Sequence, residues 1–71
     1  MALIRVTDRA GAGSATVDAS EVAEAIRPWF ALEDATVRAT VERLQEGITV
    51  GNQPAVDTFA DMLGVDLEYL T

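Results

Sequence analysis

Asp57 and Asp61 have the best claim to chemistry in this chain, because they stand four residues apart in a helical stretch and so share one face. Two carboxylates a turn apart can divide a proton between them when buried, one pKa rising, or can hold a hard cation such as Mg²⁺. No carbonyl-rich loop or further acid stands in register with them, so a solvated helix face is the plainer reading. The rest of the repertoire is short. There is no His and no Cys, and the five basic residues are all Arg, which leaves only carboxylates and Tyr69 for proton transfer and no ordinary zinc ligands. Ser14 and Ser20 have no base to activate them. Gly11-Ala12-Gly13 lacks the third glycine, the lysine and the in-register helix of a phosphate-cradling loop. The expectation is a protein that is not an enzyme and that carries no catalytic residue, metal or cofactor.

What the acids do instead is recur. Glu21 and Glu24, Glu42 and Glu46, Asp57 and Asp61, and Asp66 and Glu68 all fall on solvent-facing helical positions in this reading, in a chain of net charge −7. Such a surface repels nucleic acid and anionic membranes and favours a protein partner with a basic surface. Carboxylates a turn apart are spaced much like successive phosphates, so an acidic domain can act as a DNA mimic in a groove built for nucleic acid. Solubilising charge is the plainer account. The partner-binding candidates are therefore Asp57, Asp61, Glu42 and Glu46. Trp29 and Phe30 are read first as core and second as an aromatic anchor.

The elements that position these residues follow from local pattern. Ala2–Asp8 alternates around Ile4 and Val6 and predicts a strand; Ala15–Val17 predicts its hairpin partner across a glycine-containing loop. Asp18 followed by Glu21 predicts a capping box, with Val17 and Val22 placed as a hydrophobic staple, opening a helix that Pro28 ends near Arg27. Ser20 then lies inside the first turn, where its loss should be nearly silent. Asp34 predicts the cap of a second helix closed by Gly47, with Val37, Val41 and Leu44 inward and Arg38 paired to Glu42 on the wet side. Ile48–Val50 is read as a short third strand. Asn52 and Pro54 open a third helix lined by Val56, Phe59, Ala60 and Leu63 and ended by Gly64, and Asp66–Leu70 is read as a closing helical turn. The sum is one α+β domain over residues 1–71: an N-terminal β-hairpin, with a third short strand, packed with three α-helices and a C-terminal helical turn.

Seventy-one residues, 49% hydrophobic but rich in Ala, make a core that is broad and shallow. That predicts a homodimer, sharing the hairpin edge or the Trp29–Phe30 hinge. No apolar run is long enough to span a bilayer and the first residues lack a signal pattern, so the expected location is cytoplasmic.

Two resemblances accompany this reading. Thr40–Gly47 (T-V-E-R-L-Q-E-G) resembles the end of the recognition helix of Cro-type helix-turn-helix repressors, and Leu63–Leu70 (L-G-V-D-L-E-Y-L) is similar to that family's closing helix. The resemblance implies an operator-binding dimer with a helix in the major groove, although Glu42 and Glu46 stand beside Arg38 and Arg43 on that helix. E-V-A-E-A-I-R-P-W-F at 21–30, with the preceding I-R-V-T-D, looks like small accessory proteins of high-GC actinobacterial phages. That resemblance implies a setting, in which many products act by binding a host protein, and no mechanism; it is the DNA-mimic reading of the acidic pairs that makes the expected role an inhibitor or modulator of a nucleic-acid-handling protein.

Overall fold

Alternation in Leu3–Asp8 sets the frame. In the computed structural model, which describes residues 2–71, this stretch is β1, with Ile4, Val6 and Asp8 buried on one side and Arg5 and Thr7 exposed on the other. β2 (Ser14–Asp18) pairs antiparallel to it, Ile4 facing Val17 and Val6 facing Ala15. Asp8 builds the turn between them. Its carboxylate accepts the amides of Ala10 at 3.2 Å and Ala12 at 3.0 Å, and its own N–H donates to the Gly13 carbonyl at 2.9 Å. Gly13 takes a positive φ with the Trp29 indole directly over it, so the loop needs glycine there.

The third strand is not where the sequence reading put it. Val65–Tyr69 forms β3 on the far side of β1, giving a three-stranded antiparallel sheet in the order β2-β1-β3. The expected C-terminal helical turn at Asp66–Leu70 is thus corrected to a strand. Its cause is visible: Val65, Leu67 and Tyr69 alternate with Asp66 and Glu68, and β1 offers a free edge on which that alternation turns Val65 and Leu67 toward the core. Glu68 lands directly opposite Arg5, whose Nη1 donates to it at 2.7 Å. The expected strand at Ile48–Val50 is corrected too, since those residues are the last turn of a helix.

After β2 the chain enters a 3-10 turn (Ala19–Glu21), a five-residue helix α1 (Val22–Ile26) and a second 3-10 turn (Arg27–Trp29). Asp18 caps the first 3-10 turn, accepting the Ser20 amide at 3.1 Å and the Ser20 hydroxyl at 2.6 Å. Ser20 therefore takes part in the cap and is no bystander. The expected capping box with Glu21 is not formed: α1 opens on Glu21 with no side-chain cap bond. Helix α2 (Ala35–Val50) opens on Asp34, which accepts the amides of Thr36 and Val37. It runs past Gly47 and stops at Gly51, in the left-handed conformation at φ 73°, where Gly51 N–H bonds the Ile48 carbonyl and Asn52 N–H the Gly47 carbonyl. Gly47, expected to end this helix, lies inside it and packs closely against the next. A Cβ there would stand 3.2 Å from Val56 Cγ2 and 3.4 Å from the Val56 amide nitrogen. Helix α3 (Gln53–Leu63) follows after two residues, capped by Asn52. The helices cover one face of the sheet, and Ile4, Val6, Val22, Ile26, Val41, Leu44, Val56 and Val65 are sealed between the layers. No helix among the described residues is long and apolar enough to cross a membrane.

Candidate functional site

Helix α3 lies over the core but leaves a gap beside β3, a groove of about 660 Å³ lined by Gln53, Asp57 and Asp61 from the helix and by Val65, Leu67 and Tyr69 from the strand. Its two ends are bridged. At one, Tyr69 Oη donates to Gln53 Oε1 at 3.2 Å, and Gln53 Nε2 donates to Asp57 Oδ1 at 2.9 Å. At the other, Arg9 Nη1 reaches Asp61 at 2.9 Å while its Nε and Nη2 reach Asp66 at 2.9 and 2.8 Å. The forked guanidinium suits this double duty. It holds the Asp66 carboxyl below its usual range through the hydrogen bond, and Asp66, ahead of Asp61, raises the Arg9 guanidinium still further above neutral pH. These groups are exposed, so the bridges tie α3 to the sheet only lightly.

The aspartate pair is therefore split between partners. Asp57 takes an amide and Asp61 an arginine, and no group of three or more His, Cys, Asp or Glu among the described residues is placed to hold a metal ion. Glu42 and Glu46 are exposed on α2, away from this groove. Arg38, expected to pair with Glu42, instead donates to the Leu32 carbonyl at 3.0 Å. Trp29 and Phe30 are half-buried and packed against the core, the Trp29 ring resting on Gly13 of the hairpin loop.

Two residues that the sequence reading passed over organise the surroundings. Arg9, read as loop, is the bridge just described; an arginine directly after a strand, with aspartates to spare elsewhere, was the only signal. Gln45 on α2 accepts the Ala23 amide at 2.8 Å and donates to the Ala19 carbonyl at 2.8 Å, which satisfies free backbone groups at the start of α1. A lone polar residue beside Leu44 on the inner half of the helix was its signal.

The sheet edge completes the geometry. Leu70 N–H donates to the Leu3 carbonyl and Arg9 N–H to the Gly64 carbonyl, so odd residues of β1 exchange bonds with even residues around β3. The alternation of an antiparallel ladder then turns the N–H and C=O of Leu67 and Tyr69 away from β1, toward the unpaired side. No known protein family, curated protein or solved structure matches this chain.

Proposed function

We propose that this chain is a non-enzymatic interaction module whose acidic surface takes a protein partner through a basic face, as an inhibitor or modulator of a nucleic-acid-handling protein would. One observation carries the reading. Arg5, Arg9 and Arg27 are tied to Glu68, Asp61 and Asp66, and Glu24 in intramolecular bridges, while Glu42, Glu46 and Asp57 face solvent with no cation paired to them among the described residues. Arg38 and Arg43 also stand exposed on α2 outside these ion pairs, but the acids outnumber them, and at net charge −7 the outward field steers basic surfaces and repels phosphate backbones. Reversal of Glu42, Glu46 and Asp57 to Lys leaves those bridges and the core intact. Against a basic partner, the reversed protein should associate more slowly, and the unaltered protein should lose affinity as salt shortens the Debye length to about 8 Å and below. Affinity that is the same at low and high salt, and the same after reversal, would reduce these charges to solubility alone. Asp61 is left out of that set, because lysine there would face Arg9.

A helix-turn-helix regulator of DNA is the second reading. The short Gly51–Asn52 joint between α2 and α3 is what favours it, close to the 3–4-residue turn of such motifs, although the Leu63–Leu70 stretch that resembles the family's closing helix forms β3 instead. Glu42 and Glu46 on α2 and Asp57 and Asp61 on α3 oppose it, since phosphate contacts call for cations. A gel shift on duplex DNA at low salt separates the two: the regulator retards the duplex and the acidic module does not.

A further inference from the structure

We infer that the groove between α3 and β3 takes an extended lysine- or arginine-bearing segment of the partner, which adds to the open edge of β3 as a fourth strand. The inference rests on the acidic-module reading and gives it an address and a geometry. Three features meet at this edge. The N–H and C=O groups of Leu67 and Tyr69 point outward with no strand beyond them among the described residues, a ready template for another chain. The groove of about 660 Å³ runs alongside, so an added strand has room beneath the flank of α3. The charge on both sides of that position is negative: Asp57 and Asp61 overhang it from the helix, and Asp66 and Glu68 stand on the solvent face of β3.

The balance there decides the occupant. Four carboxylates against the guanidinium groups of Arg5 and Arg9 leave two negative charges, and Asp57 has no cation of its own. A second copy of the chain would bring net charge −7 to the same place, so it is disfavoured. An added strand alternates its side chains between the two faces. Inward positions meet Leu67 and the exposed Met62 and pass under Asp57; outward positions lie beside Asp66 and Glu68. Apolar residues inward and basic residues outward satisfy both, with the Tyr69–Gln53 and Arg9–Asp61 bridges exposed enough to open.

The probe is a synthetic peptide of about eight residues alternating Lys and Val, a usual strand length. Its controls are the Glu–Val peptide of the same length and a Lys peptide with proline in place of the valines, which keeps the charge but cannot donate to β3. Binding at low salt, followed by NMR, should slow amide hydrogen exchange at Leu67 and Tyr69 for the Lys–Val peptide only. Asp57→Lys should weaken that binding about tenfold, as loss of a groove-lining charge and its reversal demand, and Glu42→Lys with Glu46→Lys should leave it within about twofold. Circular dichroism confirms that each variant is folded. Protection that appears on α2 instead, or equal binding of the proline peptide, overturns strand addition and leaves the acidic-module reading standing. No binding of either Lys peptide at low salt overturns both. Protection of the same amides by raising the protein concentration alone, without peptide, overturns the basic occupant in favour of a second copy.

Discussion

Gln45→Ala should be among the costliest single changes available outside the apolar core. Gln45 spans two elements, accepting the Ala23 amide and donating to the Ala19 carbonyl, both at 2.8 Å and both part-buried. A net intramolecular hydrogen bond contributes about 0.5–1.5 kcal/mol, so the pair is worth about 1–3 kcal/mol, and alanine returns only a few tenths through its helix propensity. The expected loss is about 2 kcal/mol. Against a total of roughly 4–10 kcal/mol for a domain of this length, that is a large fraction, and it should lower Tm by roughly 10 °C. Trp29, the one tryptophan, rests on the hairpin loop and reports the transition by fluorescence. Gln45→Glu sharpens the test. A carboxylate can still accept from Ala23 but meets the Ala19 carbonyl with a lone pair, whereas its protonated form can donate there. The folded pKa of that Glu should lie above its ordinary value of about 4.3. The missing stability is then restored as pH falls below the folded pKa, is fully restored below about 4.3, and is lost again as pH rises. If Gln45→Ala costs under about 0.5 kcal/mol, or Gln45→Glu follows the parent protein at every pH, the cross-link does not hold α1 to α2.

Gly47→Ala should destabilise despite removing a glycine from mid-helix: the propensity gain of about 1 kcal/mol is set against overpacking on Val56, whose backbone nitrogen at 3.4 Å cannot turn aside as a side-chain tip could, at a typical cost of about 1–3 kcal/mol. Adding Val56→Ala should recover part of that loss, and strict additivity in urea melts would deny the contact. Asp18 and Asp66 are both held below the usual carboxylate range, by Ser20 and by Arg9 respectively. Their contribution is therefore present above the ordinary Asp value of about 3.9 and lost as pH falls through the lowered ones, so Asp18→Asn and Asp66→Asn should each flatten the acid limb of stability. The homodimer proposed from the shallow core is checked by light scattering at high protein concentration. Thr16→Pro, whose amide faces away from β1, should return the monomer mass if the β2 edge is shared.

Periodicity that repeats over several residues was legible. β1, Val41 and Leu44 of α2 and the inward face of α3 follow from it, though Val37 stays outside the core; the Asp18, Asp34 and Asn52 caps and the Gly64 stop follow from residue type at the element ends. The misread segments are those whose state is decided by distant partners. Gly47 looks like a helix stop, yet its missing side chain is what lets Val56 pack so closely, since a Cβ there would stand 3.2 Å from Val56 Cγ2. Ile48–Val50 has strand-forming residues but is carried on as helix until Gly51. Val65–Tyr69 alternates cleanly, but Asp66 also reads as a helix cap, and only β1, far back in the chain, decides between the two. The groove was legible only as Asp57 and Asp61. Its other wall is β3 and its bridge is Arg9, and both depend on pairing that no local window contains.

The central place of β1 has a consequence for how the chain acquires its shape during synthesis. Its partner on one side is a hairpin neighbour that can close within microseconds, but Arg5 must wait for Glu68, 63 residues later. Until then the nascent chain carries a half-built sheet with one flank of β1 bare. The slow event is a search across nearly the whole chain, with a loop-closure cost set by the intervening helices. In that interval β1 is open to pairing with any extended segment nearby, so a ribosome stalled just short of residue 65 would present its most aggregation-prone surface.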